Sequence, residues 1–470
     1  MGPYITGFDT MAFYIPNTVM WLHDGINLWS YLATGPLFYT ILISIVAAGA
    51  PIFLTLKMLS PLFLGFLGLS MYMFARRGLD WSPSKSTVTA LVGTVYFVAL
   101  RVSWDMLRNE LGLIFFFVVL TLLSSGKNSS RKRYVLLSLA MMAVVLSHQL
   151  VAVIMLGIIV FTVSHELLRK KYHQVVNLTI TSLPSALFFV VFYFFAVMPY
   201  GFIDYSTNSG SPLGSWTGFP SYQSMLLSEA GFFLYCYLPL LPLALVSFKR
   251  FGNFQLRSWL LLSLILLLIP IASVSNFRWV LMLPYPIAFY ATETLSRLKS
   301  IKWKYSKVTV HRIAVAYLVL STTFLSFGFV IMPPETPFLY FDSSRVNSYI
   351  YQIPSSLLQN TISITDCQDT ANTLQWFKDS QNSSSLLLTH TAFYSWALIT
   401  INADQVAHYG FGDPVKAATT LAQEGYSQIY LIWWTSGQGW YGLQTAPSSF
   451  EEVYRSGKIA IYSFASNSTT

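Results

Sequence analysis

The chain has 470 residues, of which 54% are hydrophobic and 10% charged, and its mean hydropathy is +0.54. A water-soluble fold of this length could not hide that much apolar surface, so composition excludes a globular soluble enzyme and describes a chain solvated mostly by lipid. The net charge of +9 sits in short clusters between apolar runs, where Lys and Arg report topology and exclude nucleic acid as a partner; the two cysteines, Cys236 and Cys367, are too few for a disulfide framework or a structural zinc site.

A bilayer core is spanned by about 20 apolar residues, with a practical range of about 17 to 25. Runs bounded by charge, Pro or Gly predict ten membrane helices, near 58–75, 86–100, 109–125, 134–148, 149–165, 175–198, 223–248, 258–275, 277–295 and 310–332. The apolar stretch 37–50 ends at Pro51 and is followed by Lys57, and we read it as a helix that lies in the interface or re-enters. The fold class is therefore an α-helical polytopic membrane protein of about ten spans with a small C-terminal α/β domain. Its expected parts are an outward first loop at 1–36, a transmembrane domain at 37–332 and an extracytoplasmic domain at 333–470.

Lys and Arg are retained on the cytoplasmic side. Arg76, Arg77 and Lys85, Lys127 with Arg131 to Arg133, Arg169 to Lys171, Lys249, Arg250 and Arg257, and the run from Arg297 to Arg312 all fall on one side under this count. The segments 1–36, 101–108, 199–222 and 276–278 and the tail then face outward, in a multi-pass protein of the plasma membrane. An outward N-terminus without a charged n-region and apolar h-region leads us to expect a membrane helix upstream.

The tail alternates helical and short apolar segments: helices near 368–380, 414–424 and 449–456 precede strands at 386–388, 429–433 and 459–464, the signature of a small α/β domain. Two of the chain's four Asn-x-Ser/Thr sites, Asn382 and Asn467, lie in its polar stretches.

Polar groups in short outward loops are the candidates for chemistry. In Gly7-Phe8-Asp9-Thr10 through Tyr14, Asp9 is placed to act as general base toward an acceptor hydroxyl, and the competing reading is a helix N-cap, which Asp also favours. His23 and Asp24 follow in the same segment. The run Arg101-Val-Ser-Trp104-Asp105-Met-Leu-Arg108-Asn109-Glu110-Leu-Gly112 is the densest polar cluster: its arginines and amide suit a phosphate or pyrophosphate beside an acid. The bland alternative is self-neutralisation, Arg101 with Asp105 and Arg108 with Glu110, at helical spacing. His148 lies in the turn Ser147-His148-Gln149, where a satisfied turn residue is the commoner role. Arg278, in Asn276-Phe277-Arg278-Trp279, has no topological reason to be positive and is the best single candidate for a lipid-carrier phosphate. No Gly-rich phosphate loop, His-Glu-x-x-His or Gly-x-Ser-x-Gly occurs.

The order of these segments, with Pro36-Leu37-Phe38-Tyr39 entering the membrane, Arg278-Trp279 and the outward tail, resembles the GT-C membrane glycosyltransferases. That superfamily includes protein mannosyltransferases, aminoarabinose transferases and oligosaccharyltransferases, and the likeness is strongest to archaeal members. The resemblance implies transfer of a sugar from a polyprenyl-phosphate-linked donor to a glycan, lipid or protein acceptor at the outer face. Carried onto matching positions, Asp9 organises the acceptor, with Asp105 and Glu110 as the other candidate carboxylates. Arg108, Asn109 and Arg278, with Arg101 beside them, hold the donor phosphate, and Tyr14 and His148 are further candidates. No cofactor is implied, because the lipid-linked sugar is a substrate. The outward loops lack an Asp-x-Asp or Asp-x-Glu triplet, so no metal is assigned, and Asp9-Thr10 stands where several relatives have two adjacent acids. Two other classes compete: a transporter or flippase of lipid-linked saccharides, with charges along a midplane path, and a non-catalytic assembly factor whose Trp433, Trp434, Trp440 and Tyr441 stack on sugar rings.

Overall fold

The computed structural model describes residues 4–124, 130–194, 222–268, 277–298, 310–331, 361–410, 412–436 and 445–465. Lys127, residues 199–221 of the outward segment 199–222, Asn276, Trp440, Tyr441 and Asn467 lie outside the described residues, as do the stretch 332–360 and most of 299–312. The chain divides into two compact units. A helical body comprises Leu28–Ile41 and Met58–Leu358, and a second unit unites Met1–Asn27 and Leu42–Lys57 with Gln359–Thr470.

In chain order the helices up to the tail are α1 Ile15–His23, α2 Leu28–Ala33, α3 Pro36–Ala47, α4 Ile52–Met73, α5 Pro83–Val95, α6 Phe97–Asp105, α7 Leu107–Ser124, α8 Arg131–Ser147, α9 Gln149–Leu168, α10 Tyr172–Phe188, α11 Tyr222–Tyr237, α12 Leu241–Phe248, α13 Phe254–Leu268, α14 Phe277–Leu281, α15 Pro284–Leu298 and α16 Val310–Ile331. Each of the ten predicted spans thus has a helical counterpart. By length and hydropathy five described helices suffice to cross a membrane alone, and seven if two bent pairs each count as one span. This is a multi-pass membrane protein. The pairs are α5 with α6, bent by 62° at Tyr96, and α11 with α12, bent by 95°. The stretch read as interfacial or re-entrant is the 12-residue α3, whose rise of about 18 Å falls short of a hydrocarbon core of about 30 Å.

The body packs Phe74, Phe117, Trp259, Tyr285 and Phe289 at its centre, with Phe116 and Trp259 rings 4.8 Å apart. Outward it presents Leu62, Phe66, Leu136, Leu139, Ile180, Leu320 and Phe327, the surface of a chain solvated by hydrocarbon. Broken helices leave carbonyls that water cannot reach at membrane depth, and hydroxyls from other helices fill them. Ser326 Oγ donates to the carbonyl of Val95 at the α5 end (2.6 Å), Tyr96 Oη to Cys236 near the α11 end (2.6 Å), Tyr237 Oη to Val280 in α14 (2.6 Å), and Tyr193 Oη to Val145 near the α8 end (2.8 Å). Arg133 Nε does the same for Leu122 at the end of α7 (2.8 Å).

The second unit carries a five-stranded sheet of β1 Leu386–His390, β2 Val406–Gly410, β3 Ile429–Trp434, β4 Phe450–Ser456 and β5 Ile459–Phe464, in the order β2-β1-β3-β5-β4. The first three are parallel; β5 runs antiparallel to β3 and to β4. Helices α17 Cys367–Ser380, α18 Thr391–Thr400 and α19 Pro414–Gln423 complete it. Two expected helices and all three expected strands are present, but the helix expected at 449–456 is a strand. Gly457, with φ +53°, closes a two-residue hairpin between β4 and β5, and that pairing overrides the local helical reading. Asp369 holds the turn, accepting from Ser456 Oγ (3.4 Å) and Lys458 N (3.2 Å). Trp433 and Trp434 are buried, Trp434 Nε1 donating to Asp366 Oδ2 (2.9 Å), so they are core residues and not a surface for sugar rings. The exposed Asn382 accepts from the hydroxyls of Ser384 and Ser385.

Candidate functional site

In the body, Arg108 stands in the first turn of α7. Its Nη1 donates to the carbonyl of Thr34, and its guanidinium lies 5.8 Å from the Tyr39 ring centroid. Between Thr34 and α3, Gly35 adopts φ +88° with its backbone against the α8–α9 turn. A Cβ there would stand 2.5 Å from the Ser147 carbonyl oxygen and 3.5 Å from Arg108 Cδ, so only glycine fits. The turn residue His148 is extended and buried, closing α8 and capping α9, with Nδ1 accepting from Leu150 N at 3.1 Å. That bond leaves Nε2 to carry the hydrogen of the neutral ring. The charges of Arg108 and of the half-buried Arg278 both act on this imidazole, and Arg108 also acts on Tyr193. Two arginines 170 positions apart in the sequence are thus brought to one histidine.

The rest of the predicted cluster divides. Arg101 and Asp105 are both buried, with Nη1 3.4 Å from Oδ2, and Arg101 also faces the Trp104 ring at 5.0 Å. This half of the segment is the self-neutralising pair. No ion pair joins Arg108 to Glu110 among the described residues. Asn109 and Glu110 are fully buried in the first turn of α7. The segment is helical, broken only at Met106, where a loop was expected.

Asp9 and Tyr14 belong to the other unit, together with the sheet. Both are buried. Asp9 already has helical dihedrals and makes no side-chain capping bond, so the N-cap reading does not describe it. A π-helical turn follows at Thr10–Tyr14, and Pro16 at the start of α1 accounts for it: a proline without an N–H interrupts the helical bonding there. At the far end of α1, His23 Nδ1 is 2.6 Å from Asp24 and its Nε2 3.6 Å from Asp404; the bond to Asp24 raises its pKa above the usual histidine value.

Sequence reasoning missed three groups. Lys85, read only as a topology marker, pairs with Glu293 across the body and sits 3.6 Å over the Trp81 ring, while Glu293 also accepts from Arg297 Nε (2.7 Å). An acid inside the apolar run 277–295 was the available signal. Tyr193 and Ser395 carried none. Among the described residues no group of three or more His, Cys, Asp or Glu is placed to hold a metal ion.

No family model and no curated protein sequence matches the chain. Solved structures do. ArnT from Cupriavidus metallidurans bound to undecaprenyl phosphate superposes with a TM-score of 0.53 at 12% identity, over 98% of this chain and 94% of that one. ArnT of the same organism in the apo state gives a TM-score of 0.55 at the same identity and coverage. This is the GT-C fold. At 12% identity the match speaks for architecture alone, and it bears out the GT-C resemblance drawn from motif order at that level. The GT-C match runs through body and tail alike.

Proposed function

We propose that the chain is a membrane glycosyltransferase that moves a sugar from a polyprenyl-phosphate-linked donor to an acceptor hydroxyl on the outer face of the plasma membrane, with its tail domain extracytoplasmic. The observation that carries this reading is that Arg108 and Arg278 both lie within electrostatic reach of His148, inside a body with the fold of a protein that was crystallised with undecaprenyl phosphate. The donor brings one phosphate at the membrane surface. Its departing charge is what two guanidinium groups stabilise, and the imidazole Nε2–H is a further donor. The acceptor oxygen bonds to the anomeric carbon as the bond from that carbon to the phosphate oxygen breaks. The acceptor proton passes to the Asp9 carboxylate, and polyprenyl phosphate leaves with the bonding electrons. Asn109 and Glu110 line the start of α7 beside Arg108, whereas Asp105 serves as counter-ion to Arg101. The lipid-linked sugar is substrate, and no cofactor or metal is assigned.

Transfer of radiolabelled sugar from polyprenyl-phosphate donors to membrane acceptors tests the reading, with Asp9→Asn and Arg278→Ala for comparison. Product from the wild type that falls by about 100-fold or more in each variant supports it. A folded wild type that transfers from no donor overturns it.

A further inference from the structure

The role of the sheet domain can be read from what it does to the segment that bears Asp9. Residues 4–27 are fastened to the sheet domain at three places. At the start, Thr361 N donates to the Thr6 carbonyl (2.9 Å), Tyr4 Oη donates to Gln368 Oε1 (2.9 Å), and the Tyr4 and Trp396 rings lie 5.4 Å apart. At the end stands the contact of His23 with Asp404. In the middle, buried Ser395 of α18 donates its hydroxyl to the carbonyl of Met11.

That middle contact has a local cause. In the π turn, Ile15 N donates to the Thr10 carbonyl, and the donor that π spacing would offer Met11 is residue 16, a proline without an N–H. The Met11 carbonyl is therefore left over by its own helix, and a buried carbonyl requires a partner. Ser395 supplies it. Because Met11 N donates back to the Gly7 carbonyl (2.9 Å), fixing Met11 fixes the single turn that contains Asp9.

We propose that Ser395 is a positioning residue: the sheet domain serves as the rigid mount for the Asp9 turn, and the Ser395 hydroxyl latches that turn through the Met11 carbonyl. This rests on the reading of Asp9 as the group that accepts the acceptor's proton, and it assigns the tail a part in the reaction without a substrate contact of its own. A base displaced by about 1 Å loses rate by about 100-fold while substrate binding elsewhere is untouched, so the latch acts on kcat and not on the donor KM.

Two measurements on the full-length protein in detergent test it, using Ser395→Ala, Ser395→Thr and Asp9→Asn: amide hydrogen exchange of residues 7–20, and kcat and donor KM for sugar transfer. The expected result is faster exchange in that segment for Ser395→Ala, a kcat lower by about 10- to 100-fold at unchanged donor KM, and recovery of both in Ser395→Thr, which keeps the hydroxyl. Unchanged exchange in Ser395→Ala overturns the latch whatever the activity. Faster exchange with unchanged kcat, while Asp9→Asn is inactive, overturns the positioning role and leaves the reading of Asp9 standing. Full activity of Asp9→Asn removes that reading and the proposal with it.

Discussion

The helical body and the sheet-bearing unit satisfy their polar groups by different means. In the body, long-range hydroxyls reach carbonyls freed at helix breaks, as Tyr96 does for Cys236 and Tyr237 for Val280, and buried Arg101 is paired with buried Asp105. In the other unit a hydrogen-bonded ladder and local caps do most of the work, and a buried imidazole, that of His390, remains among them. His390 packs edge-on against Trp433 and Tyr409, and His408 stacks on Tyr394 with centroids 4.2 Å apart. Burial first, and the neighbouring His408 second, push the His390 imidazole down to about 4; burial pushes His408 down as well. A chain in lipid cannot leave backbone groups to solvent, and the body is built accordingly.

The largest effect that would break this contrast is in the body. Arg101→Met takes the guanidinium from the buried Asp105 carboxylate and should lower stability by about 3–5 kcal/mol in detergent unfolding, while Arg101→Met with Asp105→Leu should recover most of it. A single variant without effect would mean that the pair is solvated.

In the sheet unit the larger lever is pH. The His390 imidazole is held neutral in the fold but protonates freely when unfolded, so stability falls as pH drops from the ordinary histidine value of 6.5 toward about 4 and changes no further below that on its account; the shift of His408 has the same sign. For His390 the loss has an upper limit of about 3 kcal/mol. Hydrogen exchange read separately in 386–410 and in α7 should show protection falling in the first alone.

Gly457→Ala comes next. Its Cβ would press on the Asp369 carboxylate from a backbone at φ +53°, at a cost of about 2 kcal/mol confined to the hairpin. Smallest is Tyr96→Phe, which leaves the Cys236 carbonyl without its hydroxyl donor and should cost about 1 kcal/mol. A cost near zero would show that water takes the place of that hydroxyl.

How legible each region was follows from the same physics. Apolar runs marked each described helix that is long and apolar enough to cross a membrane, because lipid imposes a length and a composition. Their bends were not marked: Tyr96 breaks α5 from α6 without a proline, held by partners far away in sequence. Helices α17 and α19 showed as patterns, but β2 and α18 did not, since β2 is a half-buried strand without a clean apolar run and α18 reads as a continuation of β1. Arg108, Arg278 and His148 could be picked out because polar groups at helix ends in lipid are costly. That the two charges reach His148 could not, because the three residues come near one another only in space. The competing roles of Arg101 and Arg108, seven residues apart in sequence, separate only in the structure, where one holds Asp105 and the other Thr34.

The latch between Met11 and Ser395 spans 384 positions of the chain. At about 5–20 residues per second, a ribosome needs about 20–80 s to make that span. The Asp9 turn therefore emerges long before the residue that fastens it, and the body has time to enter the bilayer first. A nascent chain stopped between Arg278 and α18 holds both arginines of the body but not the residue that fastens the Asp9 turn.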